Sequence, residues 1–181
     1  MIGAIRLLAP STFPGIGLVG GGPADSLARA LRPKLPSGYA VAVRYRPTDT
    51  PRDRVPLVVV GPGAVIVVEP RRERGRVISE EDTWWVAAPG DRTARRMEDS
   101  PSRRARWHAT RITSDVQCGG FVRVRVEPAV FFGRARLADR ANSTLAAFDA
   151  LEDLVTFITR LGSADRAPDR TLALAHRLGA R

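Results

Sequence analysis

Two short runs of apolar, largely β-branched residues constrain this chain more than any other feature of its sequence. The runs cover residues 57–60 and 64–68, and Gly61, Pro62 and Gly63 separate them. A connection of this length and composition is typical of a turn between antiparallel strands. Since neither run alternates apolar with polar residues, we expect a hairpin that is buried on both faces.

The flanking sequence supplies helices and strands that can cover this hairpin. A first helix is predicted from about Pro23, and Asp149 with Glu152 forms a capping-box pattern ahead of a helix that ends near Leu161. Further strands are predicted at 39–46, 76–78, 83–86, 121–126, 129–132 and 144–148, and further helices at 101–112 and 167–178. This periodicity by itself predicts a small α/β or α+β domain. An irregular arm is predicted at 1–20, and a helical extension at 164–181 follows a domain that spans 21–163.

Composition indicates a single domain with an excess of positive charge. The chain has 181 residues, a formal charge of +10, and Lys34 as its single lysine among 29 basic residues. Arginines can hold phosphates through paired hydrogen bonds. GC-rich codon usage would explain the choice of arginine over lysine, but it would not explain the excess of basic residues. We therefore expect a surface that tolerates polyanions, without readout of a particular base sequence.

The single cysteine and the absence of long apolar runs narrow the class of protein. Cys118 has no partner for an internal disulfide or for a cysteine cluster that binds zinc or iron–sulfur. No apolar run approaches the ~18 residues that indicate a membrane span. We expect a cytoplasmic location and no association with a membrane.

Glu69 and position 56 become cross-strand neighbours if the turn is centred on Pro62 and Gly63. Directly opposed residues have Cβ atoms about 5 Å apart, which suits two carboxylates that share one divalent cation. Arg71 lies two residues beyond Glu69 and therefore points to the same face. Metal-dependent phosphodiester cleavage needs this layout, because carboxylates hold Mg²⁺ against the phosphate and a cation stabilises the developing charge. Position 56, however, is occupied by Pro56.

Residues 55–75 resemble the core hairpin of the nuclease-related domain family, a branch of the restriction-endonuclease-like fold. That family carries a helix glutamate, an aspartate that opens one strand, and a glutamate–x–lysine that closes the next strand. A glutamine follows an asparagine–proline at the start of a later helix. The resemblance covers roughly residues 20–161. It implies an α/β fold with a mixed central β-sheet flanked by helices.

The motif of that family is substituted at most of its positions in this chain. Carried over residue by residue, the helix glutamate falls on Ala24, the aspartate on Pro56, the glutamate on Glu69, the lysine on Arg71, the asparagine–proline on Ser100 and Pro101, and the glutamine near Arg104. Pro56 removes a ligand and a strand donor at once, so it should lie at a strand start or an edge. Arginine is also a poor substitute for lysine at a catalytic phosphate. The remnant of the catalytic motif is therefore Glu69 and Arg71.

A lone carboxylate among arginines makes a weak magnesium site. Asp25 and Asp53 are possible replacement ligands, but a shift of one residue turns a helical side chain by about 100°, so Asp25 would need a change of register. The interpretation that we favour is an ion pair between Glu69 and arginine, with no cofactor. Mg²⁺ is expected only if activity persists.

The resemblance implies a nuclease-related protein that has lost most or all cleavage activity and persists as a nucleic-acid-binding or interaction module. We expect nucleic acid to bind an arginine-rich face that includes Arg71, Arg72, Arg74, Arg76 and Arg104. Two alternatives remain open. One is an active Mg²⁺-dependent DNA endonuclease that uses Glu69 with a relocated carboxylate, and the other is a soluble interaction domain with no nucleic-acid role. The sequence indicates no particular protein partner.

Tryptophans close to these arginines could stack on unpaired bases. Trp84 and Trp85 are adjacent in a predicted strand, so one should be buried and the other half exposed. Trp107 lies in a predicted helix. Neither histidine has a histidine or cysteine at ligand spacing, and no role is predicted for His108.

Overall fold

The computed structural model describes residues 21–48, 53–121, 123–138, 144–162, 173–176 and 178. The arm predicted at 1–20 lies outside these residues, as does most of the predicted extension at 164–181. The helices are α1 (Pro23–Leu31), α2 (Pro101–Cys118) and α3 (Leu151–Gly162), and a short 3-10 turn at Arg32–Lys34 follows α1. The strands are β1 (Ala40–Tyr45), β2 (Val55–Val60), β3 (Ala64–Arg71), β4 (Gly75–Glu80), β5 (Thr83–Ala87), β6 (Arg95–Arg96), β7 (Arg125–Phe132), β8 (Ala135–Leu137) and β9 (Ala146–Phe148).

The hairpin predicted at the centre of the chain is confirmed, and it forms the middle of a five-stranded mixed sheet. The strand order is β1-β2-β3-β7-β9, with β1, β2 and β3 antiparallel and with β7 and β9 parallel to β3. One face of the hairpin packs in a core cluster with α2 residues, and the other packs with α1 and α3 residues. The continuous apolar runs are therefore explained by burial on both sides of the sheet.

A second sheet of four strands, in the order β6-β5-β4-β8, is present in addition to the mixed central sheet that we expected. The strands predicted at 76–78 and 83–86 are confirmed as β4 and β5, which form a hairpin with Ser79 opposite Trp84 and Ile78 opposite Trp85. Trp84 is buried, with its ring centroid 5.3 Å from that of Phe132, whereas Trp85 is half-buried. The alternating exposure predicted for this tryptophan pair is thus confirmed. The fold class is α/β, with two mixed sheets flanked by helices.

Two elements extend beyond their predicted bounds because tertiary pairing continues past the local signal. The strand predicted at 121–126 begins only at Arg125, and β7 then runs through the turn expected at Glu127 and Pro128. Eight residues of β7 pair with β3, and β9 joins the other side only from Ala129, so Pro128 precedes that ladder. Helix α2 ends at Cys118 instead of residue 112, because its later turns also have a buried side.

Strand β1 also departs from the expected alternation at its end. Arg44 adopts a positive φ of 55°, and Tyr45 packs in a different core cluster from Val41 and Val43. Alternation along residues 39–46 predicts that Tyr39, Val41, Val43 and Tyr45 share one face of the strand, and this prediction is wrong for Tyr45. Its hydroxyl donates a hydrogen bond to Asp115 of α2.

The described part of the C-terminal segment packs on the core. Residues 173–176 are helical, and Leu174, Ala175 and Leu178 are buried with residues of α2 and the first sheet. None of the helices in the described ranges has the length and apolar character needed to span a lipid bilayer.

Candidate functional site

The register of the central hairpin places Pro56 across from Glu69. Leu57 pairs with Val68, so the next position along the ladder brings residues 56 and 69 together, as the turn predicted. Pro56 is the second residue of β2, close to the strand start that its missing N–H group requires. Glu69 is near the end of β3 and is only 4% exposed. The cross-strand partner of this buried carboxylate is therefore a proline ring, which cannot ligate a cation.

Two helix termini complete a cleft around Glu69. Ala24 is the second residue of α1, while Arg104 lies in the first turns of α2, whose N-terminus is capped by the Ser100 hydroxyl that accepts the Arg103 N–H group at 3.3 Å. A cavity of about 390 Å³ is lined by Pro23, Ala24, Pro56, Glu69, Pro70, Arg71, Arg72, Glu73 and Arg104. The five positions carried over for the helix glutamate, aspartate, glutamate, lysine and glutamine thus all line one cavity.

Two arginines approach the Glu69 carboxylate. Arg104 Nε lies 3.4 Å from Glu69 Oε1, and Arg71 Nη1 lies 3.8 Å from the same oxygen. The pairing with arginine that we expected for Glu69 is present, although at distances longer than those of strong charge-assisted hydrogen bonds. Two guanidinium groups close to the same carboxylate oxygen would oppose the approach of a divalent cation.

Both arginines are held more tightly by other carboxylates. Arg71 donates to Glu73 through Nη2 at 2.6 Å and through Nε at 3.3 Å, which is a forked arrangement. Asp99 Oδ2 lies 2.9 Å from Arg104 Nη1 and 3.5 Å from Arg71 Nη1, so it bridges the two guanidinium groups. The charges of Arg71 and Arg104 are therefore balanced by the carboxylates of Glu69, Glu73 and Asp99.

His108 is a member of this site that sequence reasoning missed. Its Nε2 lies 3.5 Å from Glu69 Oε2, and its side chain is almost completely buried. Burial, assisted by the positive charge of Arg104, lowers the pKa of His108 to about 4, so the ring is neutral at pH 7. The available signal was its spacing: His108 follows Arg104 by four residues on α2, and such residues share a helix face.

Burial also raises the pKa of Glu69, although Arg104 and Arg71 act in the opposite direction. The positive charges of the two arginines favour the charged carboxylate, whereas burial disfavours it and raises the pKa of Glu69. We give more weight to burial, because Oε2 of Glu69 and both ring nitrogens of His108 lack a hydrogen bond to any described residue. The pair is therefore a poorly satisfied polar cluster inside the core.

Asp25 and Asp53, the replacement ligands considered from sequence, interact with different residues. Asp25 Oδ2 accepts a hydrogen bond from Arg44 Nη2 at 2.6 Å and another from the Gly22 N–H group at 3.2 Å. The negative charge of Asp53 opposes the lowering of the His108 pKa, but the effect of burial is larger. Across the described ranges, no three or more His, Cys, Asp or Glu side chains are grouped so that they could hold a metal ion.

The arginines predicted to form one nucleic-acid-binding face are divided between two regions. Arg71, Arg72 and Arg104 line the cleft, whereas Arg76 lies on β4 in the second sheet. Arg74 lies between them, in the exposed connection from β3 to β4. Comparison of the chain with family models, curated proteins and solved structures finds no match in any of the three.

Proposed function

We propose that this chain is a nuclease-related, nucleic-acid-binding domain that no longer cleaves phosphodiester bonds. The observation that carries the proposal is the composition of the cleft. All five carried-over motif positions line it, and Glu69 is the one among them that retains a carboxylate. A restriction-endonuclease-like architecture with a substituted catalytic centre is consistent with this arrangement.

The chemistry of the cleft supports a loss of cleavage. Mg²⁺ prefers several oxygen ligands in near-octahedral geometry, and proteins usually provide more than one carboxylate or a substrate phosphate. Glu69 is opposed by Pro56 and flanked by two guanidinium groups. Its raised pKa further reduces the fraction of the charged form that a cation would bind.

The charge of the chain supports nucleic acid as the partner. A formal charge of +10 favours polyanions through release of counterions. Arg72 lines the cleft with an exposed side chain, and it forms no ion pair with a described residue. The rim of the cleft therefore retains some capacity to bind phosphate.

An electrophoretic or anisotropy assay tests binding. We expect a labelled 20-nucleotide DNA to bind at 50 mM salt and to dissociate progressively as salt rises to 200 mM, because bound arginines release counterions. Binding that does not change with salt, or no binding at either concentration, would favour a protein-interaction domain without a nucleic-acid role.

Incubation with labelled single- and double-stranded DNA in Mg²⁺ or Mn²⁺ tests cleavage. We expect the wild-type protein and Glu69→Ala to leave both substrates intact. Cleavage by the wild type that is abolished by Glu69→Ala would contradict the proposal and establish the second candidate, an active endonuclease.

One observation favours that second candidate. Glu69, Glu73 and Asp99 all approach the guanidinium of Arg71, so three carboxylates surround a single cationic group. If Arg71 moved away, a divalent cation could take its place among them. Arg71→Ala therefore belongs in the cleavage assay, where we expect it to remain inactive.

A further inference from the structure

We propose that the outer face of the second sheet binds single-stranded nucleic acid, with a base stacked on Trp85. This outer face is defined by Arg76, Ile78, Trp85, Arg96 and Arg136. The inference rests on the proposed function for the identity of the partner. It adds the surface that holds the partner and the form of nucleic acid that is bound.

Strand pairing places these five side chains on one face. Ile78 of β4 pairs with Trp85 of β5, which pairs in turn with Arg96 of β6, so the three form a row across the sheet. Arg76 of β4 pairs with Arg136 of β8 and forms part of a second row, two residues away along β4. Paired residues point to the same side of a sheet, as do residues two apart in a strand. Trp85 therefore has Arg96 as its direct neighbour on β6 and Arg76 as a diagonal neighbour on β4.

The outer face is turned away from the hydrophobic core. Trp84 precedes Trp85 and is 1% exposed, so it marks the inner face of the same strand. Trp85 and Ile78 are half-buried, and among the described residues neither belongs to a core cluster. An aromatic ring next to an aliphatic side chain thus lies on the solvent side of the sheet, where its stability contribution is small.

The arginines of this face differ from those of the cleft in having no carboxylate partner. Arg76, Arg96 and Arg136 are exposed, and none forms an ion pair with a described residue. Arg76 and Arg136 are direct cross-strand neighbours, and like charges in that position repel each other. The acidic residue that β4 contributes to this face is Glu80, opposite Thr83. The net positive charge is therefore complementary to a polyanion.

Arginine beside an exposed aromatic ring is the chemistry that single strands need. Guanidinium groups bind phosphate oxygens through paired hydrogen bonds, and an indole ring stacks on any base without reading its edge. A base within a duplex already stacks on its neighbours, so Trp85 would gain nothing from paired DNA. The combination thus selects unpaired nucleotides with little preference for sequence.

The width of the sheet also disfavours a duplex. Neighbouring strands lie about 4.8 Å apart, so the three intervals between β8 and β6 span about 14 Å before side chains are added. The major groove of B-form DNA is about 12 Å wide. A four-stranded face cannot enter that groove, whereas a single strand can lie across its surface.

Fluorescence anisotropy with labelled dT20 and with a 20-base-pair duplex tests the inference. We expect dT20 to bind more tightly than the duplex at 50 mM salt. Trp85→Ala should weaken dT20 binding about tenfold, and Trp85→Phe should preserve most of the affinity because a stacking ring remains. Arg76→Ala combined with Arg136→Ala should reduce the slope of log affinity against log salt by about 1.4, the value for two phosphate contacts with a single strand.

The matched control lies in the cleft, where Arg72→Ala combined with Arg104→Ala removes the same charge. Circular dichroism and thermal unfolding establish that each variant is folded. If the wild type binds neither DNA, the proposed function fails and the inference fails with it. If the wild type binds but only the cleft variant weakens binding, the proposed function stands and the inference is overturned. Equal binding of both DNAs without an effect of Trp85→Ala also overturns it.

Discussion

The cleft and the outer face of the second sheet both contain arginines, but they differ in what those arginines contact. In the cleft, Arg71 and Arg104 are matched by Glu69, Glu73 and Asp99 at distances of 2.6 to 3.8 Å. On the outer face, the arginines have no such partners among the described residues. A count of positive charges therefore does not locate an anion-binding surface, because neutralised arginines contribute little to it.

The two regions also differ in their cost to stability. The cleft buries Glu69 and His108 with polar atoms that make no hydrogen bond to a described residue, and burial of such atoms is unfavourable. The outer face leaves its charges in water, where they cost little. We infer that the buried polar groups of the cleft lower the stability of the fold, whereas the charged residues of the outer face have little effect on it.

The largest contrast is expected between the two adjacent tryptophans. Trp84 is buried and donates its indole N–H group to Ser102 Oγ at 2.6 Å, so Trp84→Ala should lower the free energy of unfolding by about 3–5 kcal/mol. Trp85→Ala should lower the free energy of unfolding by less than about 1 kcal/mol, since that ring is outside the core. Urea unfolding of both variants provides the measurement. Similar losses would show that the outer face is part of the core.

Gly75 joins the two regions at the start of β4, and its replacement tests how closely the backbone of β4 packs against that of β5. It has a φ of +92°, and an added Cβ would lie 2.1 Å from the carbonyl oxygen of Ala87. Gly75→Ala should therefore lower the free energy of unfolding by about 3 kcal/mol, because the left-handed backbone and the clash both oppose a side chain at this position. Gly90 is the control, because its φ is +90° but nothing lies within 4 Å of an added Cβ. Gly90→Ala should lower the free energy of unfolding by about 1 kcal/mol. Equal losses in the two variants would exclude the clash as the cause.

The buried histidine should make the cleft sensitive to acid. The pKa of His108 is about 4 in the folded protein and 6.5 in the unfolded chain, so between these values the unfolded chain binds more protons. The free energy of unfolding should therefore decrease by about 3 kcal/mol as the pH falls from 6.5 to 4.

Glu69 contributes with the opposite sign, because its raised pKa favours the folded state at low pH and this contribution is lost as the pH rises. Urea unfolding at several pH values should thus compare Glu69→Gln with Glu69→Gln combined with His108→Gln. A smaller dependence on pH in the double variant is the expected result. Identical profiles would mean that His108 titrates normally.

Removing the buried charge itself should stabilise the cleft. At pH 8, Glu69→Gln should raise the free energy of unfolding by about 1 kcal/mol, since the raised pKa indicates that the folded state disfavours the carboxylate. Glu80→Gln, at an exposed position of β4, is the control and should change the free energy of unfolding by less than about 0.5 kcal/mol. A loss of stability in Glu69→Gln would mean that the pairs with Arg104 and Arg71 outweigh the cost of burial.

The smallest expected effect concerns the carboxylates that neutralise the cleft. Glu73→Gln combined with Asp99→Asn would release Arg71 and Arg104, and we expect the affinity for dT20 to increase about threefold at 50 mM salt because new phosphate contacts become available. The matched control is Glu152→Gln combined with Asp153→Asn, at exposed positions of α3, which removes the same charge outside both the cleft and the outer face. Equal gains in both double variants would indicate a general effect of net charge.

Local signals predicted some parts of the candidate site and not others. The position of Pro56 opposite Glu69 could be predicted, because a tight turn sets the register of a hairpin. Helix α1 was predicted from Pro23 and its apolar spacing. His108 could not be assigned a role in the same way, since its contact with Glu69 depends on how α2 is rotated against the sheet. Asp99 lies in an irregular segment, where no periodic pattern indicates its direction.

The sequence by itself determined the central hairpin, its burial on both faces and the absence of a carboxylate at positions 24 and 56, because these depend on neighbouring residues and on composition. Only the tertiary structure decided that β4 and β5 lie outside the first sheet, with β4 paired to β8 about 60 residues later in the chain. It also decided which arginines are neutralised and which remain exposed. Such contacts join residues that are distant in sequence, and their formation depends on the packing of the whole domain.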